Sequence, residues 1–277
     1  MTTPFLKMHG CGNDFVVIDA RATTLALTPA IAAHIADRHR GIGCDQFIVL
    51  EPPTKPGADV FMRIRNPNVT EAGDCGNATR CVAHLFAAET GRTTCTVQTI
   101  SGLLPARLLP DGRVEVDMGL ARMAWADIPL AARADTLNLD LAAPGVHTPA
   151  ACSMGNPHAT FFVDDLDAID ISAIGPALEH APIFAEGANI GFAQILSPTR
   201  LRLRVWERGA GLTLACGSGA CATLVNASRR GLTGRRVEIV ADGGVLEVEW
   251  RPDWHVMMTG PVATSFQGNI DLAALSA

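Results

Sequence analysis

The sequence predicts a mixed α/β (α+β) fold of two similar halves, and three observations support this prediction. A Cys-Gly motif occurs twice in related surroundings, short runs of β-branched and apolar residues alternate with Gly and Pro, and a helical pattern follows each Cys-Gly pair. The repeat is much longer than a solenoid unit, which indicates a duplicated domain. We therefore expect two pseudo-symmetric halves with an active-site cleft between them.

The duplication is visible as a nearly constant offset. Cys75 and Cys216 lie 141 positions apart, and residues 74–78 resemble residues 215–219. Further ordered matches join 63–66 to 204–207, 101–102 to 242–243, 118–119 to 259–260, 12–13 to 155–156, and 46 to 189. We place the first half at 1–118 and the second at 119–261, and we expect 262–277 to return to the first half.

Local patterns place strands and helices in each half. Runs that alternate or cluster like strands occupy 47–50, 97–100, 114–117 and 237–240. Residues 78–89 carry apolar side chains at helical spacing, and 220–230 has a similar pattern. Gly91 and Gly231 follow these segments, where glycine commonly ends a helix.

Composition indicates a globular protein and excludes several classes. The 277 residues are 48% hydrophobic and carry a net charge of −6, and the 22 basic residues form no block. Nucleic-acid binding, a coiled coil and disorder are therefore disfavoured. The sequence has no signal-peptide pattern and no apolar run long enough to span a bilayer, so we expect a cytoplasmic protein without a membrane partner. Eight cysteines are too few for a disulfide scaffold, and we expect them to be thiols.

The two Cys-Gly motifs are the best candidates for chemistry. The predicted topology puts Cys75 and Cys216 at helix N-termini, where free N–H groups and the helix dipole stabilise anions and lower a thiol pKa. The same N–H groups can hold a substrate carboxylate, and the glycines allow a close approach. An isolated Cys-Gly-Asn is more often a buried thiol beside a turn. The duplication favours the chemical interpretation, because two such groups could supply a base and an acid to opposite faces of one carbon.

Other cofactor chemistries fit the sequence less well. The cysteine and histidine spacings do not match common zinc sites, and no thioredoxin motif occurs. The only lysines are Lys7 and Lys55, and Lys55 lies in a Pro-rich loop, so neither suits a pyridoxal Schiff base. No glycine-rich phosphate motif is present. We therefore expect a cofactor-independent, metal-independent enzyme that acts on a small molecule.

Five ordered motifs resemble the diaminopimelate epimerase family across nearly the whole chain. They occupy residues 7–15, 41–46, 75–81, 153–158 and 206–221. The resemblance implies two halves, each with a strand-rich, barrel-like sheet around a central helix. It also implies interconversion of LL- and meso-2,6-diaminopimelate in lysine and peptidoglycan precursor synthesis, with no cofactor and as a homodimer.

The resemblance further implies a role for each matching residue. Cys75 and Cys216 would be the thiolate and thiol, with His158 and Glu207 assisting proton transfer. The carboxylate at the reacting carbon would bind to Gly76, Asn77, Gly217 and Ser218. The remaining substrate contacts would come from Asn13, Gln46, Asn66, Asn156, Asn189, Glu207 and Arg208.

Plainer interpretations exist for several of these residues. A loop asparagine is often a turn residue, and Glu207 with Arg208 could form a surface ion pair worth only ~0–1 kcal/mol. The repeat register favours a site, because Asn13 matches Asn156 and Asn66 matches Glu207. The remaining cysteines in the motifs and three histidines have no such support and are interpreted as packing, capping or surface residues: Cys11, Cys44, Cys81, Cys221, His9, His34 and His39.

Two departures from the family pattern and three alternative functions stay open. Ala78 replaces a common glycine, and Asp74 could raise the pKa of Cys75 if its carboxylate faces the site. The alternatives are a proline, hydroxyproline or other amino-acid racemase, a lyase or dehydratase, and a non-catalytic amino-acid-binding protein. Arg208 with three asparagines disfavours a single-headed substrate, and the presence of both cysteines disfavours a lyase.

Overall fold

The computed structural model describes residues 2–23, 25, 27–67, 70–272 and 274–276. The chain divides into two compact units, the first formed by Met1–Val116 with Gly260–Ala277 and the second by Asp117–Thr259. The sequence predicts the two boundaries between the units after residue 118 and after residue 261. Strands dominate both units, and two α-helices lie in each unit among the residues that the structure describes.

The described elements are named in chain order. The strands are β1 Thr2–Gly10, β2 Asn13–Asp19, β3 Gln46–Glu51, β4 Val60–Arg65, β5 Glu71–Ala72, β6 Thr94–Gln98, β7 Leu103–Leu108, β8 Val114–Leu120, β9 Ala142–Ala143, β10 Val146–His147, β11 Ala150–Ser153, β12 Pro157–Val163, β13 Asn189–Ser197, β14 Arg200–Glu207, β15 Gly211–Thr213, β16 Arg236–Ala241, β17 Gly244–Trp250, β18 His255–Gly260 and β19 Ala263–Asp271. The α-helices are α1 Pro29–Ala36, α2 Gly76–Thr90, α3 Ile171–Glu179 and α4 Gly217–Arg229, and a 3₁₀ helix covers Ala274–Ser276.

The first unit has a mixed sheet with two parallel connections. β2 is parallel to β3 and β4 is parallel to β6, while β3–β4, β6–β7 and β7–β8 are antiparallel. β1 pairs with both β2 and β19, so the C-terminal strand belongs to this sheet. Helix α2 contacts β1, β6 and β7, which come from distant parts of the strand order. The sheet therefore curves around α2.

The second unit repeats this topology. β12 is parallel to β13 and β14 is parallel to β16, while β13–β14, β16–β17 and β17–β18 are antiparallel. Helix α4 contacts β11, β12, β13, β16 and β17, as a central helix must. The register also repeats, since Phe15 lies opposite Gln46 in one unit and His158 lies opposite Asn189 in the other. The predicted duplicated α/β fold is confirmed.

The first α-helix of each unit, α1 or α3, begins after a side-chain N-cap and packs on the core of its unit. α1 begins after Thr28, whose hydroxyl accepts the N–H of Ile31, and it buries Ile31 and Ile35 in the core of its unit. α3 begins after Asp170, whose carboxylate accepts the N–H of Ala173. α3 packs on a core that includes Phe161 and Phe192.

Most of the predicted elements are confirmed, with one correction. The predicted helices 78–89 and 220–230 correspond to α2 and α4, and Gly91 ends α2 with a φ of 73°. The predicted strand 97–100 is wrong at its end, because β6 covers Thr94–Gln98. The chain then turns, with the N–H of Thr99 donating to the carbonyl of Gly102 at 2.7 Å.

Candidate active site

Each of the two candidate cysteines is the N-cap of the central helix of its unit, as predicted. Cys75 precedes α2 with φ −156° and ψ 108°, and Cys216 precedes α4 with φ −112° and ψ 112°. Gly76 and Gly217 are the first helical residues. Both thiols therefore lie next to the unpaired N–H groups and the positive end of a helix dipole.

In the first unit, two asparagines lie beside Cys75. Its Sγ is 3.8 Å from Oδ1 of Asn13, and Nδ2 of Asn77 donates to the same oxygen at 3.1 Å. Asn77 is buried in the first turn of α2. The structure thus brings Asn13, Cys75 and Asn77 together.

Asp45 fixes the orientation of the Asn13 amide. Its Oδ2 accepts Nδ2 of Asn13 at 3.0 Å, so Oδ1 of Asn13 points toward Cys75. Arg38 donates to both Asp45 and Asp14, and Lys7 donates to Asp14. Burial alone would raise the pKa of Asp14, but the hydrogen bonds from Arg38 and Lys7 outweigh it and lower the pKa to about 2. This charged network was missed from the sequence, although Lys7, Asp14 and Asp45 lie inside the matching motifs.

Gln46 and Asn66 form a second polar pair in the first unit. Nε2 of Gln46 donates to Oδ1 of Asn66 at 3.0 Å, and Nδ2 of Asn66 donates to the Thr70 hydroxyl at 3.1 Å. Oε1 of Gln46 is buried and has no hydrogen-bond partner within the described part of the chain. A buried acceptor without a donor costs about 1–3 kcal/mol, which a ligand donor could recover.

In the second unit, Cys216 is enclosed by polar groups. Its Sγ lies 3.7 Å from the Ser218 hydroxyl and accepts the N–H of Gly219 at 3.4 Å. Burial first, and then the negative charge of Glu207, raises the pKa of Cys216 well above its ordinary value. Thr213 donates its hydroxyl to Glu207. The physical consequence is that Cys216 rests as a neutral thiol.

His158 reaches Cys216 through a hydroxyl group. Nε2 of His158 lies 2.9 Å from Oδ1 of Asn156 and 3.1 Å from the Ser218 hydroxyl. Because Oδ1 can only accept, this arrangement assigns the proton of the neutral ring to Nε2. Burial, followed by the charge of Arg208, lowers the pKa of His158 to about 3. The imidazole is therefore neutral near pH 7.

Arg208 is held by residues 186–189 of its unit. Its N–H donates to Oδ1 of Asn189 at 3.0 Å, and its guanidinium donates to the carbonyl of Glu186 at 3.1 Å. Nδ2 of Asn189 donates to the carbonyl of Pro157. Asn189 thus supports the backbone of the Arg208 turn, a contact that the sequence did not indicate.

The structure also describes the other cysteines of the motifs and Asp74. Cys11, Cys44, Cys81 and Cys221 are buried, in agreement with a packing role, and desolvation raises the pKa of Cys44 to about 11 and that of Cys81 to about 12. Burial also raises the pKa of Asp74 above its ordinary value.

Other features of the described residues lie outside these clusters. A cavity of ≈ 630 Å³ in the first unit borders Val82 and Phe86 on later turns of α2, and its lining includes none of the predicted site residues. Within the described ranges, no group of three or more His, Cys, Asp and Glu residues is arranged to hold a metal ion. None of the helices described is long and apolar enough to cross a bilayer.

Comparisons with known proteins give a consistent result. The family model for diaminopimelate epimerase matches residues 5–124 and 150–265. A diaminopimelate epimerase of Acidiphilium cryptum is 64% identical over 99% of this chain and 98% of its own length, and one of Rhodospirillum centenum is 58% identical over 98% and 93%.

Solved structures at low sequence identity share the fold. A probable proline racemase from Agrobacterium radiobacter has a TM-score of 0.72 at 16% identity, with 98% of this chain and 93% of that chain covered. A hydroxyproline epimerase from Agrobacterium vitis has a TM-score of 0.71 at 16% identity, with 97% and 91% covered. The family match and the close relatives span nearly the whole sequence, and this chain belongs to the diaminopimelate epimerase family.

Proposed function

We propose that this enzyme interconverts LL- and meso-2,6-diaminopimelate, as the names of its close relatives indicate. The observation that carries the proposal is the pair of N-cap cysteines at equivalent positions of a duplicated fold. Each thiol lies at a helix N-terminus within a cluster of polar side chains. Proton transfer at an acidic α-carbon requires such a pair of acid/base groups.

In the proposed mechanism, the two cysteines serve opposite faces of one α-carbon. One thiolate removes the α-proton, and the thiol on the other face returns a proton to give the inverted centre. Cys216 begins as the thiol when Cys75 is the base, because burial and Glu207 oppose its ionisation. In the reverse direction the roles exchange. His158, whose Nε2–H can donate to the Ser218 hydroxyl, assists that exchange by stabilising the Cys216 thiolate through this hydroxyl.

The substrate carboxylate at the reacting carbon would bind to the N-terminal N–H groups of α2 and α4, with Asn77 and Ser218 adding donors. This charge placement also stabilises the carbanion-like transition state, because negative charge moves toward the carboxylate as the proton leaves.

The distal amino-acid head would meet the other polar groups. Arg208 would receive the distal carboxylate, and the oxygens of Gln46, Asn66 and Glu207 would be available to an ammonium group. The buried Oε1 of Gln46 supports this assignment, since a substrate N–H would satisfy it.

Incubation with pure meso-diaminopimelate in D₂O tests the proposed activity. We expect the LL isomer to form with deuterium at the inverted α-carbon, and NMR and chiral chromatography measure both. Proline and trans-4-hydroxyproline serve as comparison substrates, because neither carries a second head for Arg208. Turnover of either compound in preference to diaminopimelate would reject the proposed substrate.

Activity is expected to need neither a metal nor pyridoxal phosphate. The physical reason is that both proton-transfer groups are side chains of the chain itself. We expect full activity after dialysis against a strong chelator and after hydroxylamine treatment, with a buffer-treated sample as the control. Activity that disappears and returns on adding zinc or pyridoxal phosphate would contradict this expectation.

We further propose that the enzyme works in the cytoplasm as a homodimer. The resemblance to the family supports both the dimer and the location. Sedimentation equilibrium across a range of protein concentrations measures the assembly, and a monomer at assay concentration would contradict the proposal.

A further inference from the structure

The carboxylate of Glu179 clamps the turn that carries Glu207 and Arg208. Glu179 is the last residue of α3 and is only 6% exposed. Its Oε2 accepts the indole Nε1 of Trp206 at 2.7 Å, and its Oε1 accepts the backbone N–H of Gly209 at 2.8 Å. The two donors come from the residues immediately before and after Glu207 and Arg208.

The backbone of Glu179 also supports the segment on the other side of Arg208. Its carbonyl accepts the N–H of Ala188 at 3.0 Å. The neighbouring residues of that segment bind Arg208, since Glu186 accepts its guanidinium and Asn189 accepts its backbone N–H. One residue therefore contacts both the turn that contains Arg208 and the segment that binds it.

Trp206 is fixed at a second point by the same helix. Gly175 lies one turn before Glu179 on α3, and a Cβ added at Gly175 would come within 2.4 Å of Cδ2 of Trp206. The indole ring thus lies directly against the glycine, with its N–H directed to Glu179. Because a buried carboxylate is costly unless its oxygens are hydrogen-bonded, the position of this group depends on both donors.

We propose that Glu179 is a positioning residue that holds Arg208 where it can receive the distal carboxylate. The inference rests on the proposed function. Glu179 acts through the turn and through Ala188, the neighbour of Asn189, whereas Cys216 and Ser218 are placed by α4 and do not bond to it. Loss of the hydrogen bonds of the Glu179 carboxylate should therefore affect substrate binding more than the proton-transfer step.

The Glu179→Gln variant tests the proposal because it keeps the shape and removes one acceptor. Both neighbours are N–H donors, so one of them must face the new NH₂ group. We expect KM to rise roughly 10- to 100-fold, with a smaller change in kcat. The exposed Glu238→Gln is the matched control, with unchanged kinetics expected.

A double variant separates positioning from general destabilisation. Trp206→Phe keeps a ring against Gly175 and removes the indole donor. If Glu179→Gln does not fold, Trp206→Phe tests the proposal in its place. In Glu179→Gln/Trp206→Phe the glutamine oxygen can face Gly209 alone. We expect KM of this double variant to be lower than that of Glu179→Gln. If KM of the double variant rises by at least the product of the fold increases in the two single variants, the proposal is overturned.

Hydrogen exchange at the Gly209 amide gives a readout that does not depend on activity. We expect faster exchange at this amide in Glu179→Gln than in the wild type. Unchanged KM in Glu179→Gln, with a large loss in Arg208→Lys, would overturn the positioning role and leave the proposed function intact. Unchanged kinetics in Arg208→Lys would instead refute the role given to Arg208, and with it this inference.

Discussion

Replacing either Cys75 or Cys216 by alanine is expected to abolish epimerisation and to leave α-hydrogen exchange on one isomer. Without one thiol, no proton can reach the face that it served. The surviving cysteine can still remove the hydrogen that points toward it and return deuterium to the same side. Since each acid/base group contributes on the order of 10²–10⁴ to rate, we expect inversion to fall by at least that factor.

The two alanine variants should label opposite isomers. Deuterium incorporation into pure LL- and pure meso-diaminopimelate, measured by NMR for each variant, tests this. Cys95→Ala is the matched control, because Cys95 is a buried thiol on β6 outside the site. Preferential labelling of the same isomer by both variants, or near wild-type inversion by either, would show that the two-base mechanism is incorrect.

The exchange rate of Cys75→Ala should rise with pH through the alkaline range. This variant depends on the Cys216 thiolate, and burial with Glu207 raises the pKa of Cys216 well above its ordinary value. The thiolate fraction, and with it the exchange rate, increases until the pH passes that pKa. A rate that is already constant at neutral pH would contradict the thiol state assigned to Cys216.

Arg208→Lys is expected to reduce kcat/KM for diaminopimelate roughly 10- to 100-fold. A guanidinium can bind a carboxylate through two parallel hydrogen bonds while it remains anchored to the Glu186 carbonyl, whereas an ammonium is a compact point charge. Steady-state kinetics in both directions measure the loss. Arg200→Lys is the control, because that side chain is 52% exposed on β14.

An unchanged kcat/KM in Arg208→Lys would show that Arg208 does not bind the distal carboxylate. If Arg200→Lys loses as much kcat/KM as Arg208→Lys, the effect is a general response to lysine. Thermal unfolding of both variants separates binding from stability, and we expect similar midpoints because Arg208 is held mainly through its backbone N–H and one side-chain hydrogen bond.

Much of the fold could be predicted because duplication leaves a direct trace in sequence. The Cys-Gly motif and helical pattern repeat at a fixed offset, and α2 and α4 begin at equivalent residues, Gly76 and Gly217. Helix starts are local features of a few residues, so they can be identified without tertiary contacts. The end of β6 was misplaced because the turn after Gln98 depends on a hydrogen bond between Thr99 and Gly102.

The sequence predicted only some of the polar groups around each of the two cysteines. The motifs identify Asn13, Asn77, Asn156 and Ser218, and the structure places them in contact within their units. The roles of Asp45 and Glu179 could not be predicted, because each acts on residues distant in sequence. Asp45 orients Asn13 from 32 positions away, and Glu179 reaches Gly209 from 30 positions away.

The sequence by itself determined the duplication, the helix N-terminal placement of Cys75 and Cys216, and the family. Only the tertiary structure decided their electrostatic environments. The high pKa of Cys216 and the low pKa of His158 both arise mainly from burial, which depends on how strands and helices pack around each group. Desolvation is a property of the whole surrounding volume, so no local motif of residues can encode it.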